Sequence, residues 1–394
     1  MKKHKFLKTI PMKLYLILAV FIIFYFFFND FGLVDIQKTA VILAVGIDKT
    51  DNGYSVTTEI AVPKGSDRKM GGTSSLEIVG EGKNVSACIS DIFSKTSWVP
   101  KFVFCDLIVI GERAAKEDVF SYLNYFIRNK YMPESCNLAV CEGTAQEIIS
   151  SQSAIDDTSS LAIGKLFSDA SVKSGMVMPN TLKDFTIGYF GPSKSSYLPY
   201  LRSTPQKGSH THGGSGGSNS SSGGSGGNQV EEQAYSAEET ALFSEGRMVG
   251  LLPHELTFAF SLLKGNVHAG NFNAKEDDAD ATLTILEDEG GVELDMKKQK
   301  VTLSLDLHAR LCCKSVTSEV EEIASEEASD EALESAEKLL RADIEKLWNT
   351  CKEADCDLFN LRRSLYRSSH KKYEEWKDDL IDSLEVEIKT NVNR

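Results

Sequence analysis

The stretch "AVILAVGIDKTDNGYSVTTEI", Ala40–Ile60, decides the fold at the start of the chain. Its first part, Ala40–Ile47, is almost wholly apolar and rich in β-branched residues, which is typical of a strand buried on both faces. Tyr54–Ile60 alternates between apolar and polar residues. Between the two runs, Thr50–Gly53 ends in Asn-Gly, a pair that readily adopts the positive φ angles of tight hairpin turns. The sequence therefore predicts a β-hairpin, which by itself carries no chemistry.

Strand and helix patterns alternate after the hairpin. Strand-like runs are "SSLEIVGEG", "KFVFCDLIVIG" and "SCNLAVCEG", and helix-like runs are "NVSACISDIFSKTS", "RAAKEDVFSYLNYFIRNK" and "TAQEIISSQ". Further helices are predicted at Asp156–Ser174 and Leu182–Ile187. This order favours an α/β layer domain, and we place it at residues 35–204.

A Gly/Ser-rich segment at residues 205–235, including "GSHTHGGSGGSNSSSGGSGGN", predicts a flexible linker or a long loop at a domain boundary. A second α/β domain follows at residues 236–394. We expect a hairpin at Glu245-Gly246, the apolar helix "PHELTFAFSLLKG", a β-meander, a long helix over roughly Ser318–Thr350, a helix around Tyr373–Leu380 and a terminal strand. The long helix has an apolar stripe with a 3.6-residue period, which predicts a buried face made of Leu333, Ala336, Leu340, Ile344 and Leu347. The acidic residues opposite are predicted to form a solvated face.

The N-terminus predicts a membrane anchor. Residues 1–13 hold five lysines and no acid, and Leu14–Phe28 is a run of 15 apolar residues. Starting at Ile10, with Lys13 reaching the interface, gives a helix of about 28 Å, close to the ~30 Å of a bilayer core. We assign residues 1–31 to a cytoplasmic basic flank and a transmembrane helix. The predicted fold class is thus a mixed α/β, multi-domain ectodomain behind a single N-terminal transmembrane helix.

Other interpretations of this segment fit less well. A cleaved signal peptide needs a small-residue site after the apolar run, and "NDFGLVD" offers none. A lipoprotein needs a cysteine at that border, whereas the first cysteine is Cys88. A buried core helix would show one apolar and one polar face, but Leu14–Phe28 includes seven aromatic residues and has no polar face. Because lysine-rich flanks stay inside, we expect a cytoplasmic N-terminus and an ectodomain beyond about Asp30.

Charge and cysteine content argue against nucleic-acid binding and against a structural zinc site. Residues 14–394 carry 38 basic and 57 acidic residues, so the body repels nucleic acid. Eight cysteines occur, and none of their spacings forms a CxxC pair, which argues against structural zinc. Cys136 and Cys141 border one strand at an odd separation and should lie on opposite faces. Buried free thiols are the favoured interpretation.

Motifs with catalytic potential lie in unsuitable contexts. Gly213–Gly217 and Gly223–Gly227 match a GxSxG nucleophile elbow, but both lie in the Gly/Ser segment rather than between a strand and a helix. His254-Glu255 lacks the second histidine of a zincin helix. Asp48 ends a strand, where catalytic carboxylates occur, but a turn-forming role is favoured. We therefore predict no catalytic, cofactor-binding or metal-binding residue, and an anchored binding or scaffolding protein.

The sequence resembles the Ger(x)C family, the C subunits of spore-germination nutrient receptors. Three regions carry the resemblance in the family's order: the opening of the mature chain, "ALFSEGRMVGLLPHELTFAFSLLKG", and the end of the chain after the long helix. The matching positions are Asp35, Gly46-Ile47-Asp48, Tyr54–Thr57, Gly250, Glu255, Asp357-Leu358-Phe359 and Trp376. One departure is that family members usually carry a lipid-modified cysteine near the position of Asp30, so here the retained helix, Leu14 to Phe28, would be the anchor.

The resemblance implies a non-enzymatic subunit on the outer face of the spore inner membrane. Its partners would be the membrane-embedded A- and B-type subunits, one transporter-like and nutrient-binding and the other channel-like, together with the lipid bilayer. No nucleic acid and no cofactor is expected.

Two other classes stay open from the residues alone. An anchored extracytoplasmic solute-binding protein would show a ligand-sized polar pocket between the two halves. An anchored hydrolase would need a cleft that pairs Asp48 or Glu255 with a second acid.

Overall fold

The computed structural model describes residues 12–28, 39–62, 74–156, 158–206, 232–276, 279–314 and 327–394. Asp35 and most of the Gly/Ser-rich segment lie outside the described residues. Within them the chain forms two β-sheets and thirteen helices. The predicted mixed α/β class is therefore confirmed.

Most strands of the first half belong to one sheet of ten: β1 (Thr39–Thr50), β2 (Gly53–Val62), β3 (Ser74–Gly82), β4 (Val99–Lys101), β5 (Leu107–Gly111), β6 (Asn137–Cys141), β7 (Asn180–Thr181), β8 (Ser195–Gln206), β9 (Glu232–Ser244) and β10 (Arg247–Leu252). The second sheet has four: β11 (Asn271–Glu276), β12 (Ala279–Asp295), β13 (Lys300–Lys314) and β14 (Glu385–Asn393).

The helices lie before, between and after these strands: α1 (Met12–Phe28), α2 (Val85–Thr96), α3 (Glu112–Ala115), α4 (Phe120–Ile127), α5 (Ala145–Ser150), α6 (Ser159–Leu166), α7 (Asp169–Lys173), α8 (Leu182–Phe190), α9 (His254–Leu263), α10 (Asp330–Glu353), α11 (Leu361–Ser368), α12 (His370–Trp376) and α13 (Leu380–Ser383). The apolar helix α1 has 17 residues. Among the described residues, no helix combines the length and the apolar character needed to cross a membrane.

Four parallel strands form the centre of the large sheet, in the order β8-β6-β5-β1. The predicted hairpin is confirmed: β1 and β2 are antiparallel, Thr50 pairs with Gly53, and Gly53 takes a φ of +151°. The meander continues into β3 on one side.

Apolar layers cover both faces of this sheet. On one face, α2, α4 and α8 pack against the alternate β1 residues Val45 and Ile47 through side chains such as Phe126 and Phe185. On the other face, α5 and α6 cover Ala44 with Ile149 and Ile163. This two-layer burial explains why the central strands are apolar on both faces.

The large sheet continues across the Gly/Ser-rich segment. β8 pairs antiparallel with β9, from Ser195↔Ser244 to Gln206↔Glu232. β9 then has two roles, because Phe243 lies in the core of the first half and the adjacent Leu242 lies in the core of the second. The strands that follow the segment thus complete the sheet of the half that precedes it.

The second half builds its own core on the small sheet. Its strand order is β11-β12-β13-β14, and the C-terminal β14 lies parallel to β13. Helix α10 buries the predicted stripe of Leu333, Ala336, Leu340, Ile344 and Leu347, while α9 contributes Phe260 and Leu262. The 3.6-residue period of α10 is therefore confirmed.

Several predicted elements are divided in the structure. The helix expected over Arg113–Lys130 is α3 and α4, because the amide of Val119 donates to Gly246 O instead of to a preceding helical turn. The strand expected over Lys101–Gly111 is β4 and β5, because a turn closed by Cys105 N donating to Phe102 O separates them.

Other elements differ in extent or were not predicted. α10 begins at Asp330, with Ser329 as its N-cap. The start predicted for it, Ser318, lies outside the described residues. The helix expected at Asp156–Ser174 is α6 and α7. β7, β8, β11 and α11 have no counterpart among the predictions.

The shared sheet gives a direct prediction. If a specific protease site replaces residues 213–219 and is cleaved, both fragments should co-elute as one body, because the β8–β9 pairing and the contact of Phe243 with Phe185 survive the cut. Size-exclusion chromatography of cut and uncut protein measures this. Separation of the fragments without denaturant would contradict the shared sheet.

Candidate functional site

The motif Gly46-Ile47-Asp48 ends the central strand β1, and its side chains alternate between the two faces of the sheet. Ile47 is fully buried in the core beneath α4. Gly46 and Asp48 face α5 instead. A Cβ on Gly46 would lie 3.1 Å from Ala145 Cβ and 3.2 Å from Ala145 O, so glycine lets the first turn of α5 approach the strand.

Asp48 holds the N-terminus of that helix. Its Oδ1 accepts from Ala145 N at 2.7 Å and its Oδ2 accepts from Gln146 N at 2.9 Å. The side chain is 8% exposed. Gly111 must lack a side chain, because a Cβ there would lie 2.1 Å from Asp48 Oδ1. Burial raises the pKa of Asp48, and the two amide hydrogen bonds oppose that rise.

Such a carboxylate accepts hydrogen bonds from two of the amides that a helix start leaves unpaired. Its negative charge also interacts favourably with the positive end of the helix dipole. The hydroxyl of Thr144 accepts from Glu147 N and completes the cap. Asp48 is therefore placed as a structural anchor between β1 and α5.

Charged groups at the same end of the parallel strands pair with one another. Arg202 donates from Nη1 to Glu142 at 2.7 Å and from Nε to Glu239. These carboxylates raise the pKa of Arg202 above its ordinary value. Tyr200 donates to Glu112 at 3.4 Å. This is the end of an open α/β sheet where ligands commonly bind, and here internal ion pairs fill it.

Asp357 repeats the arrangement of Asp48 in the second half. Its oxygens accept from Leu361 N at 2.7 Å and Arg362 N at 2.8 Å, at the start of α11. Its own amide donates to Ser195 Oγ of β8 at 2.9 Å. Burial raises the pKa of Asp357, and the bonds it accepts oppose the rise. Asp357 thus fixes α11 and ties the second half to the large sheet.

The other motif residues have different surroundings. Gly250 lies in β10 beside Leu242 and Ala354, with room for a Cβ 3.5 Å from Leu242. Glu255 lies exposed in the first turn of α9. Trp376 ends α12, packs against the second core and receives Lys372 Nζ 5.6 Å from its ring centroid. Asp35 lies outside the described residues. These positions support the fold and do not converge on one site.

One cavity lies where the two halves meet, and another lies mainly within the second half. One, of about 540 Å³, is polar and lies between the β8 and β9 ends and α11–α12; Arg362 lines it and bonds Asp355 at 2.8 Å. The other, of about 570 Å³, lies between α9, β11 and α10. Its wall combines Phe258 and Leu340 with the charged Glu255 and Lys275. Both are large enough for a small solute.

The cysteines are free thiols, and six of the eight are buried. Cys136 and Cys141 lie in the cores on opposite faces of the sheet, as predicted. Cys312 and Cys313 are exposed, which corrects the expectation of burial for this pair. Burial raises the pKa of Cys88 to about 11. Among the described residues, no group of three histidines, cysteines or acids is placed to hold a metal ion.

Two known families match the chain in succession. "Spore germination protein N-terminal domain" matches residues 33–203, and "Spore germination B3/GerAC like, C-terminal" matches residues 238–394. The chain belongs to the GerAC family of spore germination proteins. The resemblance drawn from the three motifs is therefore confirmed.

A solved structure shares the GerAC-family fold. The crystal structure of the GerBC protein aligns with a TM-score of 0.52 at 14% identity, over 89% of this chain and 96% of GerBC. At this identity the comparison supports the architecture alone. No curated protein matches the sequence significantly.

Sequence reasoning did not identify every buried carboxyl group. Glu59 of β2 is fully buried and accepts from Ser160 N at 3.2 Å. Asp288 of β12 accepts from Val267 N at 3.2 Å, and burial raises its pKa to about 7. Glu59 is a lone acid in its strand, whereas Asp288 stands between Glu287 and Glu289, and both strand patterns look half solvent-exposed. Their burial follows from α6 and from the loop after α9, which no local pattern brings to these strands.

The cap formed by Asp48 predicts a measurable stability loss. Asp48→Ala leaves the Ala145 and Gln146 amides unpaired in a buried place and should lower the free energy of unfolding by about 1–3 kcal/mol. Urea denaturation measures the change. The matched control is Asp51→Ala: Asp51 bonds Arg113 at 2.9 Å with its side chain 87% exposed, and its loss should cost under about 0.5 kcal/mol. Equal losses in both variants would contradict the assigned cap.

Proposed function

We propose that this spore germination protein acts as the non-enzymatic C subunit of a nutrient germinant receptor. The observation that carries the proposal is the succession of the two GerAC-type matches, which together span most of the chain after residue 32. In this role the protein contacts membrane-embedded A- and B-type subunits and has no substrate of its own.

The use of the carboxylates supports a role without catalysis. The carboxylate oxygens of Asp48 and Asp357 accept hydrogen bonds from helix amides. Arg202 is paired with Glu142 and Glu239. A general acid or base must reach a substrate proton, and the buried Asp48 and Asp357 do not offer that access. Of the two acids considered for a hydrolase, either of which would need a second acid beside it, Asp48 is committed to α5, and Glu255 is an exposed residue at a cavity edge.

We further propose that the apolar N-terminal segment holds the protein in the spore inner membrane, with the N-terminus cytoplasmic and the body on the outer face. The side chains of α1 from Leu14 to Tyr25 are exposed and apolar, as a lipid-facing helix requires. Five lysines precede the apolar run. Anchoring raises the effective concentration of the body at its partners, so individual contacts need not be tight.

A second candidate is an anchored extracytoplasmic solute-binding protein. The cavity between α9, β11 and α10 favours it, because its apolar wall beside Glu255 and Lys275 could hold a small zwitterion. The receptor role is preferred because the family matches carry it.

Deletion of the gene tests the receptor role. Spores without it should lose dipicolinic acid release to one class of nutrient, among amino acids, sugars and bile salts, since a receptor lacking a subunit cannot respond. Release triggered by a non-nutrient such as dodecylamine should remain normal and is the control. Normal release to every nutrient would contradict the receptor role and leave the solute-binding candidate.

A further inference from the structure

An exposed apolar and basic surface lies beside the amino end of β1. We call it the amino-end patch, and it consists of Lys101, Val103, Phe104, Lys130 and Tyr131. Val103 is 51% and Phe104 60% exposed, although both are large apolar side chains. Their neighbour Phe102 is buried, with its ring 5.7 Å from that of Phe126.

Packing holds these residues together as one surface. β4 pairs with the first residues of β1 (Thr39↔Val99 to Val41↔Lys101), so the Val103-Phe104 turn follows directly beside the strand. The turn after α4 comes to the same place, because Lys101 Nζ lies 5.0 Å from the centroid of the Tyr131 ring. Lys130 Nζ lies 4.7 Å from the same centroid. The exposed Phe104 thus lies on a rigid support.

The charges of the patch are free to meet a partner. Within the described chain, Lys101 and Lys130 form no ion pair with a carboxylate; both lysines contact the Tyr131 ring. Nearby acids are Asp106, which is exposed, and Glu134, which bonds Lys183 at 3.4 Å. The patch is therefore basic in a chain whose net charge is −14.

The position of the patch limits what can cover it. Ten residues, 29–38, connect α1 to Thr39, so the start of β1 lies within about 35 Å of the end of the apolar helix. Aromatic side chains beside lysine and arginine are the chemistry that settles at a lipid head-group layer. Cations at an anionic bilayer add attraction, while the acidic remainder is repelled and stays away from it.

We propose that the amino-end patch docks on the anionic lipid surface and sets the orientation of the body above the membrane. Phe104 and Val103 enter the head-group layer, and Lys101 and Lys130 pair with lipid phosphates. This inference rests on the proposed anchoring. It adds that the carboxyl ends of the parallel strands point away from the bilayer, toward soluble or overhanging partners.

Quenching by brominated lipid in proteoliposomes of the full chain tests the proposal. In Phe104→Trp, the fluorescence added by the new tryptophan should fall by more than half when brominated acyl chains are used. The matched control is Ile155→Trp: Ile155 is 70% exposed, and its neighbour Ala154 bonds Gln233 near the opposite end of β8 and β9. The fluorescence added there should stay unquenched. Both positions are exposed, so neither change disturbs a core.

Bilayer composition separates the outcomes. Replacing phosphatidylglycerol by phosphatidylcholine should reduce the quenching of Phe104→Trp at least twofold, because the cations lose their partners. Flotation of the liposomes reports anchoring separately. Flotation without quenching would overturn the docking and leave the anchor intact. Burial of the tryptophan at position 104 only in membranes that hold the partner subunits would do the same. Failure to float would overturn both.

Discussion

The pairing of β8 with β9 is the constraint on which the rest of the molecule depends. It joins strands from either side of the Gly/Ser-rich segment, and β9 then presents Phe243 to one core and Leu242 to the other. Asp357 strengthens the same junction through Ser195 of β8. Because the two halves share a sheet, a force or contact on one half is transmitted to the other through packed side chains and not through a flexible tether.

The buried aspartates of this germination protein hold the starts of two helices. Asp48 lies at the carboxyl end of a central parallel strand, the usual position for a reactive group. Its two oxygens instead hold Ala145 and Gln146, and Gly46 and Gly111 leave the space that this requires. The packing of strand β1 against helix α5 therefore accounts for Gly46 and Asp48 of the motif. A rigid body of this kind suits a subunit that acts by contact.

Local signals predicted much of this architecture. The Asn-Gly turn indicated the β1–β2 hairpin, and the apolar period of α10 indicated its buried stripe, because each depends on neighbours in the sequence. The division of α3 from α4 was missed since Val119 bonds the distant Gly246. The role of Asp48 was predicted only as structural; its partners, 97 residues away, became visible when α5 was placed against β1. The amino-end patch likewise depends on β4 and the turn after α4 meeting in space.

The central claim is that the chain works by presenting a stable surface and not by chemistry at its motif acids. The most direct measurement is nutrient-triggered dipicolinic acid release from deletion spores complemented with Asp48→Asn, scaled to the amount of the protein in their membranes. The amide side chain of this variant has one accepting oxygen and can pair with only one of the two helix amides. The account therefore predicts less folded protein but a normal release rate per molecule. A normal amount of protein with no release would contradict it, because the carboxylate would then act in the response itself.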